Sequence, residues 1–189
     1  MRKVIAAINM TIDGVCDHTV LLPDEDIHKH YAQLLGNADV ILYGRTTYEL
    51  MQFWQTLLKK PSGEKSMDEF ALAIDRIQKI VFSKTLKNTE WGSAEIAGKP
   101  IEEVVKKLKQ SGEDGSRDIL VGSRSLIIQL MKLNLIDEYQ LCIHPLVAGN
   151  GLPLFENVND RMVLKHLKTK GFSGGAVILY YEPTKKIDH

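Results

Sequence analysis

Short apolar runs that end at small or hydroxyl residues, each followed at once by an amphipathic stretch, constrain this chain most. The sharpest case is Ile119-Leu120-Val121-Gly122-Ser123-Arg124-Ser125-Leu126. It reads as a buried strand, a tight turn and a helix N-terminus. The same handover recurs upstream, where Val40-Ile41-Leu42-Tyr43 runs into Gly44-Arg45-Thr46-Thr47-Tyr48-Glu49. A strand that passes directly into a helix is half of a crossover between parallel strands, so such units assemble into an α/β sheet.

The rest of the chain keeps this rhythm. Val4 to Ile8 reads as a first buried strand, followed by a loop through Asp13-Gly14. Asp24 is the expected N-cap of a helix with Glu25 and Asp26 in its first turn. Ile27, Tyr31, Leu34 and Leu35 mark its buried face, and Gly36 closes it. A helix over Thr46 to Leu58 carries Tyr48, Met51 and Trp54. Ser66-Met67-Asp68-Glu69 has capping-box spacing and predicts a short helix through Ile77. Lys79 to Phe82 is a third strand. Pro100 fits a helix start, with Ile101, Val104, Val105 and Leu108 inward, Glu102/Lys106 and Glu103/Lys107 outward, and Gly112 as the stop. Asp118 to Val121 and Glu138 to His144 read as strands around a helix over Ser125 to Leu133. Met162–Thr169 and Ala176–Glu182 form a hairpin turning at Gly171 to Gly175. The expectation is one domain over 1–189: a mixed, mostly parallel sheet, helices on both faces, a C-terminal antiparallel hairpin, an ordered core over 3–182 and a tail over 183–189.

Size and charge narrow the function classes. A domain of 189 residues buries roughly 70% of its unfolded surface and needs no covalent staple. The 24 basic and 24 acidic residues balance to zero net charge, which argues against a nucleic-acid partner. Cys16 and Cys142 have no paired spacing and read as reduced thiols. His28 and His30 lie two apart without a supporting cluster, so no metal site is expected. The apolar run at Val4 to Ile8 is too short for a membrane span or a signal-peptide core, and a cytoplasmic location is expected.

The turns carry the chemistry. A helix N-terminus offers unpaired N–H groups and partial positive charge, which suits phosphate. Two such turns at strand ends, at Gly44-Arg45-Thr46-Thr47 and Gly122-Ser123-Arg124-Ser125, point to a dinucleotide. Arg45 brings a fork of donors. Ser83-Lys84-Thr85 follows the third strand, where hydroxyls and an ammonium suit the 2′-phosphate that distinguishes NADP from NAD; it also reads as a plain strand-ending turn. Lys59 to Lys65, with Pro61 and Gly63, is the best candidate for a lid. Trp54, Tyr48 and Phe53 suit a flat heterocycle or the core; Gly149 and Gly151 suit a turn; His144 reads as structural.

A family resemblance adds to this. Gly44-Arg45-Thr46-Thr47-Tyr48-Glu49 resembles the cofactor loop of dihydrofolate reductases. Thr11-Ile12-Asp13-Gly14 resembles the S-x-D-G motif of the reductase domain of bacterial riboflavin biosynthesis. His144-Pro145-Leu146-Val147-Ala148-Gly149-Asn150-Gly151-Leu152-Pro153-Leu154-Phe155 is similar to that domain's P-x-x-x-G-x-G-x-x-L-F segment. The chain thus resembles a stand-alone member of the dihydrofolate-reductase-like superfamily on the riboflavin-reductase branch (the RibD C-terminal domain). The deaminase signatures H-x-E and P-C-x-x-C are absent from the sequence. Leu50-Met51-Gln52-Phe53-Trp54 stands where the riboflavin enzymes carry D-D-P-x-L-T.

The resemblance implies a homodimeric, NADPH-dependent reductase acting on a small heterocyclic or sugar-linked pyrimidine. Gly44, Arg45, Thr46, Thr47, Ser83, Lys84, Thr85, Gly122, Ser123, Arg124 and Ser125 would hold the cofactor. Reduction also needs a proton. Asp13 lies near the expected nicotinamide, and Asp26 resembles in position the carboxylate of dihydrofolate reductases. Asp13-Gly14 also reads as a turn, and Asp26 as a first-turn acid matching the helix dipole. The alternatives are a dihydrofolate reductase and a non-catalytic NADPH-binding protein.

Overall fold

The computed structural model describes residues 2–19, 21, 23–111, 116–156, 158 and 161–184. The elements run β1 (Val4–Thr11), α1 (Glu25–Gly36), β2 (Ala38–Gly44), α2 (Arg45–Met51), α3 (Phe53–Lys59), α4 (Lys65–Arg76), β3 (Gln78–Phe82), β4 (Ala94–Ile96), α5 (Ile101–Gln110), β5 (Asp118–Val121), α6 (Arg124–Lys132), β6 (Glu138–His144), β7 (Leu164–Gly171) and β8 (Val177–Pro183). The strands form one sheet in the order β4-β3-β2-β5-β1-β6-β8-β7. All pairings from β4 across to β6 are parallel, and β8 runs antiparallel to both β6 and β7. This is the mixed, mostly parallel sheet with a C-terminal hairpin that the sequence pattern predicts.

β1 sits between β5 and β6 and is buried on both faces. Its side chains alternate with the pleat. Val4, Ala6 and Ile8 pack with Ile101 and Val105 of α5 and with Leu126, Ile127 and Leu130 of α6. Ile5 and Ala7 face the other way, toward Leu35 of α1, Tyr48 of α2 and Ile74 of α4. Helices therefore cover both faces. A smaller cluster seats Ile27 of α1 on Cys142, Ile178 and Tyr180 of β6 and β8.

Local signals held at several ends. The Ile27 N–H donates to the Asp24 carboxylate at 2.9 Å, as an N-cap requires. Glu102 meets Lys106 at 2.6 Å, whereas Glu103 pairs with Lys99 at 3.2 Å rather than with Lys107. The expected helix over 46–58 is two helices with a turn at Gln52. The break lets Tyr48 enter the core while Trp54 meets Phe70 of α4, ring centroids 4.5 Å apart. The capping box at Ser66 is not formed. Helix α4 begins one residue earlier, Ser66 is buried within it, and Asp68 instead accepts from the Ser62 N–H and hydroxyl at 2.9 and 2.8 Å. This ties the 60–64 connection to α4. Pro100 is the N-cap rather than the first helical residue. The tail expected over 183–189 starts later: Pro183 ends β8, and the Thr184 N–H and hydroxyl donate to the Val163 carbonyl at 3.0 and 2.8 Å; the stop expected at Gly112 and residues 185–189 lie outside the described residues.

β4, which sequence periodicity does not reveal, is held by a buried lysine. Lys79 Nζ donates to the carbonyls of Asp75 and Ile77 at 3.2 and 2.8 Å and to the Ser93 hydroxyl at 2.6 Å. It also lies 4.1 Å from the ring centre of Trp91, whose indole N–H donates to Asp75 at 2.6 Å. Among the described residues no helix is long and apolar enough to cross a membrane, and no cluster of three metal-ligating side chains occurs. Lys79→Met keeps the bulk but leaves buried carbonyls without a donor. It should cost about 1–3 kcal/mol in a urea unfolding titration, and an unchanged midpoint would show the ammonium to be dispensable.

Candidate active site

β3, β2, β5 and β1 lie side by side and parallel, so their carboxyl ends share one edge. The turns that follow appear in the spatial order Ser83-Lys84-Thr85, Gly44-Arg45-Thr46-Thr47, Gly122-Ser123-Arg124-Ser125 and Ile12-Asp13-Gly14. At about 4.8 Å per strand they span roughly 14 Å. The turn after β5 leads to α6 on one face, while those after β2 and β1 lead to α2 and α1 on the other. Neighbouring connections that part to opposite faces open a crevice at the strand ends.

The two central turns are locked together. The Gly44 N–H donates to the buried Ser123 hydroxyl at 2.8 Å. A Cβ on Gly44 would stand 3.2 Å from the Ser125 hydroxyl oxygen, so a side chain there would crowd the junction. Helices α2 and α6 start here with no side-chain cap and no acidic residue in the first turn. By contrast α1, α4 and α5 carry Glu25 and Asp26, Asp68, and Glu102 and Glu103 in theirs. An uncapped, acid-free helix start leaves its N–H groups and partial positive charge for an outside anion. These turns therefore fit a phosphate-bearing cofactor.

The side chains divide into free and engaged. Arg45 is about half exposed and lies 3.9 Å from Glu49. Thr46, Lys84, Thr85 and Ser125 are exposed, and Thr47 faces the crevice. Ser83 closes its own turn, its hydroxyl accepting from the N–H groups of Thr85 and Leu86 at 3.2 and 2.9 Å. Ser123 straps the two turns. Arg124 donates from Nε to the Pro153 carbonyl at 2.7 Å and pairs with Glu156. The phosphate-binding capacity of the β5 turn thus lies in its backbone.

Beside these turns opens a cavity of about 560 Å³ between the strand ends and helices α1 to α4. Ala7 to Asn9 and Leu120 to Gly122 line its sheet side. Phe53, Trp54, Phe70 and His28 line the helical side, whereas Tyr48 is in the core, its hydroxyl accepting from the Glu90 N–H. The His28 ring stands edge-on to Trp54, centroids 5.6 Å apart. Burial pushes its pKa down, against the pull of Asp24 and Glu64, which favours the uncharged ring. Sequence spacing weighed His28 only as a metal ligand. Its place among these rings arises from α1 packing on α3 and α4.

Both candidate carboxylates are engaged by donors of the fold. Asp13 accepts from the Thr11 hydroxyl and from the N–H groups of Ala148 and Gly149, at 3.1 and 2.8 Å for the two amides. The Thr11 hydroxyl and the two amides hold its carboxyl at about 2, leaving no proton to give at neutral pH. Asp13 is a staple between the first turn and the 145–155 segment. Gly149 and Gly151 shape that segment with φ of +76° and +137°, and a Cβ on Gly151 would stand 2.5 Å from Val15. Asp26 accepts from the Ser173 hydroxyl at 2.6 Å and does not line the cavity. That bond holds its carboxyl below the usual carboxylate range. His144 is buried, 3.0 Å from Asn9, as a structural histidine.

The two stapled segments are those that carry the resemblance, and the comparison with known proteins agrees. The family model of the RibD C-terminal domain matches residues 2–178. The chain belongs to the RibD C-terminal domain family. It is 33% identical over 187 residues to the uncharacterized protein YyaP of Bacillus subtilis (strain 168), covering 95% of this chain and 94% of that one. The uncharacterized protein YwjB of the same organism is 27% identical over 186 residues, covering 95% and 97%. Solved structures share the fold. A pyrimidine reductase-like protein of Corynebacterium diphtheriae superposes with a TM-score of 0.65 at 14% identity, covering 98% of this chain and 93% of that one. RibD of Acinetobacter baumannii gives 0.67 at 11% identity, and this RibD C-terminal domain spans 59% of it.

The Asp13 staple has a pH signature. A carboxyl with a native pKa near 2 and an ordinary value of 3.8 stabilises the fold fully above about pH 4, and that contribution disappears as pH falls through 2. Asp13→Asn should therefore melt below the parent at pH 7, with the gap closing between pH 4 and 2. A gap constant across that range would refute the staple.

Proposed function

We propose that this protein is an NADPH-dependent reductase of the riboflavin-biosynthesis type, passing hydride to a small heterocyclic or sugar-linked substrate. One observation carries the reading: the uncapped, acid-free starts of α2 and α6 meet at the strand edge beside an apolar cavity. In this reading the N–H groups at the α2 and α6 starts hold the pyrophosphate. Arg45, Thr46 and Thr47 flank it. Lys84, exposed at the end of β3, meets the 2′-phosphate. When bound, the reduced nicotinamide would supply hydride to a C=N or C=O carbon, and a proton completes the reduction. The apolar walls exclude water from that step. With Asp13 and Asp26 engaged, the proton comes from solvent or by way of His28.

One observation favours a second reading, a non-catalytic NADPH-binding protein: both candidate acids are committed to the fold. Tight NADPH binding without oxidation across a panel of pterins, pyrimidines and carbonyls would support it.

NADPH at about 100 times its Kd should stabilise by about 2.7 kcal/mol, raising Tm by roughly 5–10 °C for a domain of this size. NADH should do less, and Lys84→Ala should remove most of the difference. Equal shifts from both cofactors, or none, would dismiss the reading.

A further inference from the structure

The cavity's lining says what class of molecule it accepts. Among the described residues that line it there is no Asp, Glu or Lys. Arg124 is the one lining residue with a permanent charge, and its guanidinium is already taken by Glu156 and the Pro153 carbonyl. Burying a charged group without a partner is strongly unfavourable. A phosphate or carboxylate inside this space would have no free cation to meet. A protonated pterin would have no carboxylate either, since Asp26 bonds to Ser173 away from the cavity.

The walls instead suit a flat ring. Trp54 and Phe70 meet edge to face at 4.5 Å, and the Phe53 ring lies 5.5 Å from Trp54. Leu34 and Met51 complete the apolar surface, and His28 sets an imidazole among the rings as a polar handle. Aromatic walls with one or two convergent polar groups fix the orientation of uncharged planar ligands.

We propose that, of the two substrate classes the reductase reading allows, this cavity takes the uncharged heterocyclic one: a fused-ring compound with a reducible C=N or C=O, seated against the wall that Trp54, Phe70 and His28 form together, rather than a phosphorylated sugar-linked pyrimidine. This rests on the reductase reading, with NADPH as the reductant and two electrons and two hydrogens added across the double bond.

The test is calorimetric titration of the full chain with two probes, 4-quinazolinone and uridine 5′-monophosphate, without cofactor. The quinazolinone should bind at least about tenfold tighter than the nucleotide. Trp54→Ala should abolish most of that preference, and Trp54→Phe, which keeps a ring and the local packing, should retain it. Nucleotide binding as tight or tighter overturns the proposal, as does failure of both probes to bind. A separate titration with NADPH reports on the reductase reading alone. Loss of NADPH binding with the quinazolinone preference intact would sink that reading and leave the cavity's selectivity standing.

Discussion

Everything at the candidate site depends on strands β4 to β6 running in the same direction. Parallel strands cannot be joined by hairpins, so each connection must cross a face of the sheet, and every carboxyl end opens on one edge. β5 is inserted between β2 and β1, and its helix lies on the opposite face from theirs. That single insertion makes the crevice. It also brings the turns at Gly44 and Gly122, distant in sequence, within reach of the Gly44–Ser123 hydrogen bond.

On this frame the charges are sorted. Helices α1, α4 and α5 carry acids in their first turns, while α2 and α6, which open onto the crevice, leave theirs bare. Polar side chains beside the crevice are spent on the fold: Ser123 on Gly44, Arg124 on Glu156, Asp13 on Ala148 and Gly149. What remains is an edge with free backbone donors and, next to it, a cavity walled by rings. The two halves suit the two ends of a hydride transfer, a phosphate-rich carrier and a ring kept from water.

Much of the fold was legible. Asp118–Val121 and Glu138–His144 stand in the sequence with their structural bounds, because central parallel strands are apolar runs cut off by turns. The cap at Asp24 was legible because it acts within three residues. Signals that needed a distant partner misled. Ser66 and Glu69 have the spacing of a capping box, but α4 begins at Lys65 after Glu64, Ser66 is buried within it, and Asp68 binds Ser62 of the preceding loop. β4 has three residues, too few to show a period, and owes its place to Lys79 and Trp91.

The sequence by itself determined the strands other than β4, the mostly parallel character of the sheet and the turn residues that end its strands, since hydrophobic period and turn chemistry are local properties. Tertiary structure alone decided which groups stay free there. Asp13 and Asp26 look alike in sequence as acids near a ligand. Partners 135 and 147 residues away hold one to the 148–149 backbone and the other to Ser173. The apolar cavity likewise exists only where α1, α3 and α4 converge on the sheet. A hydrogen-bond partner or a neighbouring ring fixes a side chain's protonation and availability, and those neighbours are set by packing rather than by spacing along the chain.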